Sequence, residues 1–239
     1  MGRMGSVPAH RQYRDLRALA LQGDEKAVHQ LRKLARTAET HARVGELRKR
    51  ERRAWQEVRR AASALRDHDV TGPLIQQALR TMDVPEEEVQ AFAQVWSARR
   101  VKLLGELTLP ERVPRLPEAP GRKRWERFLA VEAARVQATV PPRDGRVRAE
   151  EWHDWRKALK RYRAVLELHQ RSPETLVTLL NLLGEAQDAQ TLLELAGREP
   201  LLTAYRAGLI RAAQVQRRRA RKEAWQQWTG LAGEFRSRE

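Results

Sequence analysis

The chain has no cysteine, which excludes disulfides, thiolate-bound zinc and a cysteine nucleophile. No stretch approaches the roughly 18 apolar residues of a membrane span, and Met1 to Gln12 lacks the apolar core of a secretion signal. A cytoplasmic protein with no membrane partner is therefore expected. Aromatic residues make up only 5% of the 239 residues, and β-branched residues are sparse, so strands have little to build on. Lysine is scarce as well: eight of the 47 basic residues are Lys and 39 are Arg.

What remains is rich in Leu, Ala, Arg, Glu and Gln, the residues of stable amphipathic helices. The 47 basic residues face 31 acidic ones, giving a formal charge of +16. A field of that size favours anionic partners. Because the planar guanidinium matches paired phosphate oxygens better than an ammonium does, the dominance of Arg points to phosphate.

Helix signals recur along the chain. Asp24 caps a helix predicted to run through His29 to about Val44, with Gly45 at its end. A second helix is predicted over about Glu46–Arg66, because Leu47, Ala54, Val58, Ala61 and Leu65 fall on one arc, and it should stop before Gly72-Pro73. Shorter helices follow at Leu74–Met82 and, after Pro85, at Val89–Leu107. Pro110, Pro114, Pro117 and Pro120 then mark an extended connector. Beyond it, helices are expected over about Arg124–Val140 and Ala149–His169, from Ser172-Pro173-Glu174 to about Ala196, and over Arg206–Trp228. With no strand pattern, the expectation is an all-α protein with a first repeat over 1–109, a connector over 110–121 and a second repeat over 122–239.

The two halves echo one another. His29-Gln30-Leu31-Arg32-Lys33-Leu34-Ala35-Arg36 and His153-Asp154-Trp155-Arg156-Lys157-Ala158-Leu159-Lys160 both read H-x-x-R-K-x-x-[RK]. At i, i+3, i+4 and i+7 the four polar groups share one helix face. A second echo follows each: Asp67, in Leu65-Arg66-Asp67-His68-Asp69-Val70, stands 38 residues past His29, and Asp188, in Leu183–Ala189, 35 past His153.

These residues resemble the CHAD family, the conserved histidine α-helical domain, over about Ala18–Trp228. The resemblance implies two pseudo-symmetric four-helix-type bundles forming one domain, whose basic helices line a central cavity that binds inorganic polyphosphate. It also implies a stand-alone member, because the Glu-x-Glu-x-Lys signature of the CYTH triphosphatases often joined to CHAD domains is missing from the sequence. Association with polyphosphate granules would follow. Carried over by position, it nominates His29, Arg32, Lys33 and Arg36 in the first repeat, and His153, Arg156, Lys157, Lys160, Arg161 and Arg163 in the second. Thr37 and Glu39 stand where the family has arginine, so the first repeat should contribute less. Arg43, about 40° from His29 on the same helix, and the heptad-spaced Arg52, Arg59 and Arg66 extend the first basic face.

Blander roles are assigned elsewhere. The seven Trp residues sit mostly at apolar helical positions and read as core, with base stacking the alternative. His10, His41, His68 and His169 make no ligand set, so no metal is expected. Arg217-Arg218-Arg219-Ala220-Arg221-Lys222 wraps around its helix as a surface patch. Asp67, Asp69 and Asp188 read as helix caps or as partners that orient arginines. No phosphate loop or nucleophile elbow is present. The expectation is thus a non-enzymatic binder of polyphosphate or another polyanion, needing no cofactor. Nucleic-acid binding is the runner-up, and a phosphohydrolase the third reading.

Overall fold

The structure is a computed structural model that describes residues 8–116, 120–143 and 147–236. It is all-α: helices account for most of the described residues, and no strand occurs among them. In chain order they are α1 (Ala9–Leu21), α2 (Glu25–Val44), α3 (Lys49–Ala61), α4 (Ser63–Thr81), α5 (Glu86–Gly105), α6 (Arg122–Thr139), α7 (Ala149–Leu166), α8 (Glu174–Arg198) and α9 (Arg206–Arg236). A six-residue 3₁₀ segment, Pro200–Tyr205, precedes α9. No helix is long and apolar enough to cross a membrane, among the described residues.

Contacts divide the chain into two compact units. The first takes the chain up to Pro73 and again from Gln90 to Gly121; the second takes Leu74–Val89 and the chain from Arg122 onward. This division differs from the repeats in that 74–89 group with the second half.

In the first unit α2 packs between α1 and α3. Val28, Leu31, Ala35, Ala38 and Ala42 are buried, a 3-4-3-4 spacing that turns one face of α2 inward and leaves His29, Lys33 and Arg36 exposed. Tyr13 of α1, a helix absent from the sequence expectation, meets Trp55 of α3 edge-on with ring centroids 6.0 Å apart. Burial pushes its phenol up to about 12. Its hydroxyl donates to the Pro110 carbonyl, as does Arg17 Nε at 3.0 Å. The proline segment is thus extended and held against this unit, with Val113 and Leu116 on its core; Pro117 lies outside the described residues.

In the second unit α7 packs against α6 and α8, and α8 against α9. The buried residues of α7 include Trp152, Trp155, Leu159, Tyr162 and Leu166. They stand at the same offsets from His153 as Val28, Leu31, Ala35, Ala38 and Ala42 do from His29. The duplicated motif therefore has the same inner and outer faces in both units. Trp155 meets Trp152, Trp225 and Trp228 at centroid distances of 5.5–6.2 Å. Trp125 donates to the Val165 carbonyl at 2.7 Å.

Several element boundaries correct the expectation. The helix expected over Glu46–Arg66 is two helices, α3 and α4, and the first begins only at Lys49, because Glu46 takes a left-handed φ of 55° and the chain turns first. There the Glu51 carboxylate accepts the Arg48 N–H at 3.0 Å. The break between them falls at Ala62, which puts Arg66 on α4. Nor does the chain stop at Gly72-Pro73, since α4 carries Pro73 inside it. Gly72 is buried against the Trp96 indole, and the helix continues although Pro73 removes one backbone bond. At α8 the cap residue is Pro173, while Ser172 Oγ instead donates to Glu167 Oε1 at 2.9 Å.

Candidate functional site

In the first unit α2 presents His29, Arg32, Lys33 and Arg36, and α4 brings Arg66 beside them. Burial comes first in holding the His29 imidazole below its ordinary range, and the charges of Arg66, Lys33, Arg36 and Arg32 add to it. Arg32 Nη1 donates to Asp67 Oδ1 at 3.1 Å, and Arg66 Nη1 stands 3.7 Å from the same oxygen. Arg32 is lowered as well, by burial and by the neighbouring Arg66 and Arg59 against the pull of Asp67. Six of the nominated residues are therefore brought together: His29, Arg32, Lys33, Arg36, Arg59 and Arg66.

Arg59 is shared with an acid. Its Nε donates to Glu39 Oε2 at 2.9 Å, and Gln56 donates to Glu39 Oε1 at 3.1 Å. Glu39 thus neutralises an arginine of α3. Arg43 and Arg52 are half-buried on α2 and α3.

Asp67 and Asp69 lie inside α4 and cap nothing. Each faces a guanidinium: Asp67 those of Arg32 and Arg66, and the half-buried Asp69 that of Arg100, 2.6 Å from Arg100 Nε. Asp188 lies inside α8 and caps nothing either.

In the second unit α7 carries His153, Arg156, Lys157, Lys160, Arg161 and Arg163. Here Gln187 of α8 faces His153, its Oε1 lying 2.8 Å from Nδ1. Lys157 Nζ stands 2.6 Å from Asp154 Oδ1 and holds that carboxyl below the usual range. Arg163 Nε donates to Glu167 at 2.7 Å, which ties the end of the run to a carboxylate. Arg156 and Lys160 are half-buried, with Arg156 Nη2 close to Gly184 of α8, while Arg161 is exposed.

Comparison with solved structures finds PptA from Streptomyces chartreusis, which matches at a TM-score of 0.65 and 15% identity over 92% of this chain and 96% of that one. The two share a fold. No family model matches the chain, and a search of curated proteins finds no match.

Two functional candidates on α9 escape the sequence pattern. Arg217 and Arg221 belong to the run read as a surface patch, yet both are half-buried. Arg217 Nη1 donates to Gln190 Oε1 at 2.5 Å, and Arg221 lies 5.1 Å from the Trp152 ring centroid. Their i, i+4 spacing was the available signal, but a consecutive basic run offers several such pairs, and only packing selects one.

Proposed function

We propose that this chain is a CHAD-family protein that binds inorganic polyphosphate through its basic helix faces and performs no chemistry on it. The observation that supports this most is the duplicated face: α2 and α7 present a histidine-headed row of cations at the same offsets from the same buried positions. A flexible chain of phosphates suits such rows, because it can follow a helix surface and meet several charge-assisted donors in succession. The fold shared with PptA is consistent with the resemblance. The pairing of Asp67 and Asp69 with guanidiniums supports a binding role over a metal-dependent reaction, since carboxylates so held are engaged by arginine instead of a cation. A cytoplasmic location, with association to polyphosphate granules, belongs to the same reading.

The deciding experiment displaces labelled polyphosphate from the full chain with unlabelled polyphosphate or single-stranded RNA. Polyphosphate is expected to compete far better, and log affinity to fall linearly with log salt between about 50 and 200 mM. RNA competing equally well would favour general nucleic-acid binding. Release of orthophosphate with Mg²⁺ present would show an enzyme.

A further inference from the structure

The run from Arg217 to Lys222 separates into two sides on α9. Arg219 is 65% exposed and stands 3.6 Å from the carboxylates of Glu185 and Glu223. Arg217 and Arg221, one turn apart, point toward α8 and α7 and meet only neutral groups, the Gln190 amide and the Trp152 ring. No carboxylate lies within ion-pair distance of either among the described residues, and the Nε of each is buried with no acceptor. Burial, with the charge of Arg217 added, brings Arg221 down to about 10.

Like charges at i, i+4 repel, and withdrawing them from water raises the cost. The fold keeps both arginines inward all the same. Trp152 fixes the plane of one guanidinium by a cation–π contact, and Gln190 fixes the other. Gln187 lines the same groove as Trp152, Gln190 and Arg221, and it also holds His153. The groove is therefore continuous with the histidine-headed face of α7.

We propose that Arg217 and Arg221, with the amides of Gln187 and Gln190 beside them, seat a phosphate oxyanion at the α7–α8–α9 groove of the second unit. The fork of each guanidinium supplies paired donors, and the anion supplies the counter-charge the protein withholds. That this phosphate belongs to a polyphosphate chain rests on the function proposed above.

The test uses the full chain, with Arg217→Gln/Arg221→Gln compared with Arg218→Gln/Lys222→Gln, which removes the same charge from exposed positions. Affinity for tripolyphosphate and for long-chain polyphosphate is measured by calorimetry, alongside the ligand-free melting temperature. The inward pair is expected to lose at least about tenfold for both ligands with no fall in melting temperature, and the outward pair less than about threefold. Equal losses would overturn the seat in favour of a diffuse field. Long-chain binding that survives Arg217→Gln/Arg221→Gln unchanged would overturn the seat and leave the polyphosphate function standing. Tripolyphosphate binding lost with the inward pair, in a wild type that ignores the long chain, would keep the seat and remove that function. A wild type that binds neither refutes both. Should the double variant melt without cooperativity, Arg221→Lys decides: it keeps the charge but loses the fork, and undiminished affinity would overturn the proposal.

Discussion

His68 stacks on Trp96 with ring centroids 4.7 Å apart, and both of its ring nitrogens are buried without a hydrogen-bond partner. Burial is the largest influence on it and lowers its pKa below the ordinary 6.5, with Asp69 opposing. His29 is lowered in the same direction, by burial and then by its cationic neighbours. Folding therefore prefers both rings neutral. Their stabilising contribution is complete above about 6.5 and is lost as pH falls through the lowered folded values. The melting temperature should accordingly drop as pH goes below about 6.5, and His68→Gln should flatten that drop, as scanning calorimetry would show; an identical slope in the variant would remove His68 from the account. Asp67 gives a second residue-level expectation. Its bond to Arg32 joins partners that are 31% and 59% exposed, so Asp67→Asn should cost less than about 1 kcal/mol of stability. Releasing Arg32 and Arg66 from their shared carboxylate should tighten polyphosphate binding. A weaker complex in titration would mean that Asp67 matters by orienting them.

Helices carried by a cap and an unbroken apolar period were legible from the residues. Asp24 accepts the Ala27 N–H at 2.8 Å as expected, and α2, α6 and α7 lie close to their predicted spans. Boundaries set by packing were not legible. Ala62 has no side chain that announces a break, and Gly72-Pro73 carries a strong stop signal through which α4 nevertheless runs. At the site, the outward faces of α2 and α7 followed from spacing alone, whereas the inward turn of Arg217 and Arg221 depends on which side of α9 meets α8. The Gly72 contact is itself testable. A Cβ there would come 2.6 Å from Trp96 Cδ1, part of a rigid ring also stacked on His68. Gly72→Ala should therefore destabilise the protein by about 1–3 kcal/mol despite alanine's better helix propensity, read as a lower melting temperature. A rise would show that the indole moves aside without cost.

For the whole molecule, a formal charge of +16 means that any polyanion will be attracted to some degree. The question is whether affinity is spread over the surface or concentrated in particular rows. In both units acids offset some of the nominated cations. In the first, Arg32 and Arg66 share Asp67 and Arg59 is held by Glu39. In the second, Asp154 sits on Lys157 and Glu167 on Arg163; Arg156 and Lys160 are half-buried, Arg156 with its Nη2 close to Gly184 of α8. A half-buried cation gains more from a phosphate oxygen than an exposed one, because less water competes. Replacing Arg156 and Lys160 together by Ala removes two charge-assisted contacts, each worth about 1.5–3 kcal/mol where desolvated, and should weaken polyphosphate binding at least about tenfold. Arg32→Ala with Arg36→Ala should cost less, since Thr37 and Glu39 leave that row with fewer cations than the run on α7. Arg218→Ala with Arg219→Ala should cost least, because both are exposed and Arg219 already faces Glu185 and Glu223. Titration calorimetry at one salt concentration, with helical content matched by circular dichroism, orders the three pairs. Equal losses from all three would mean that net charge alone binds the polymer and that the duplicated rows have no special part in it.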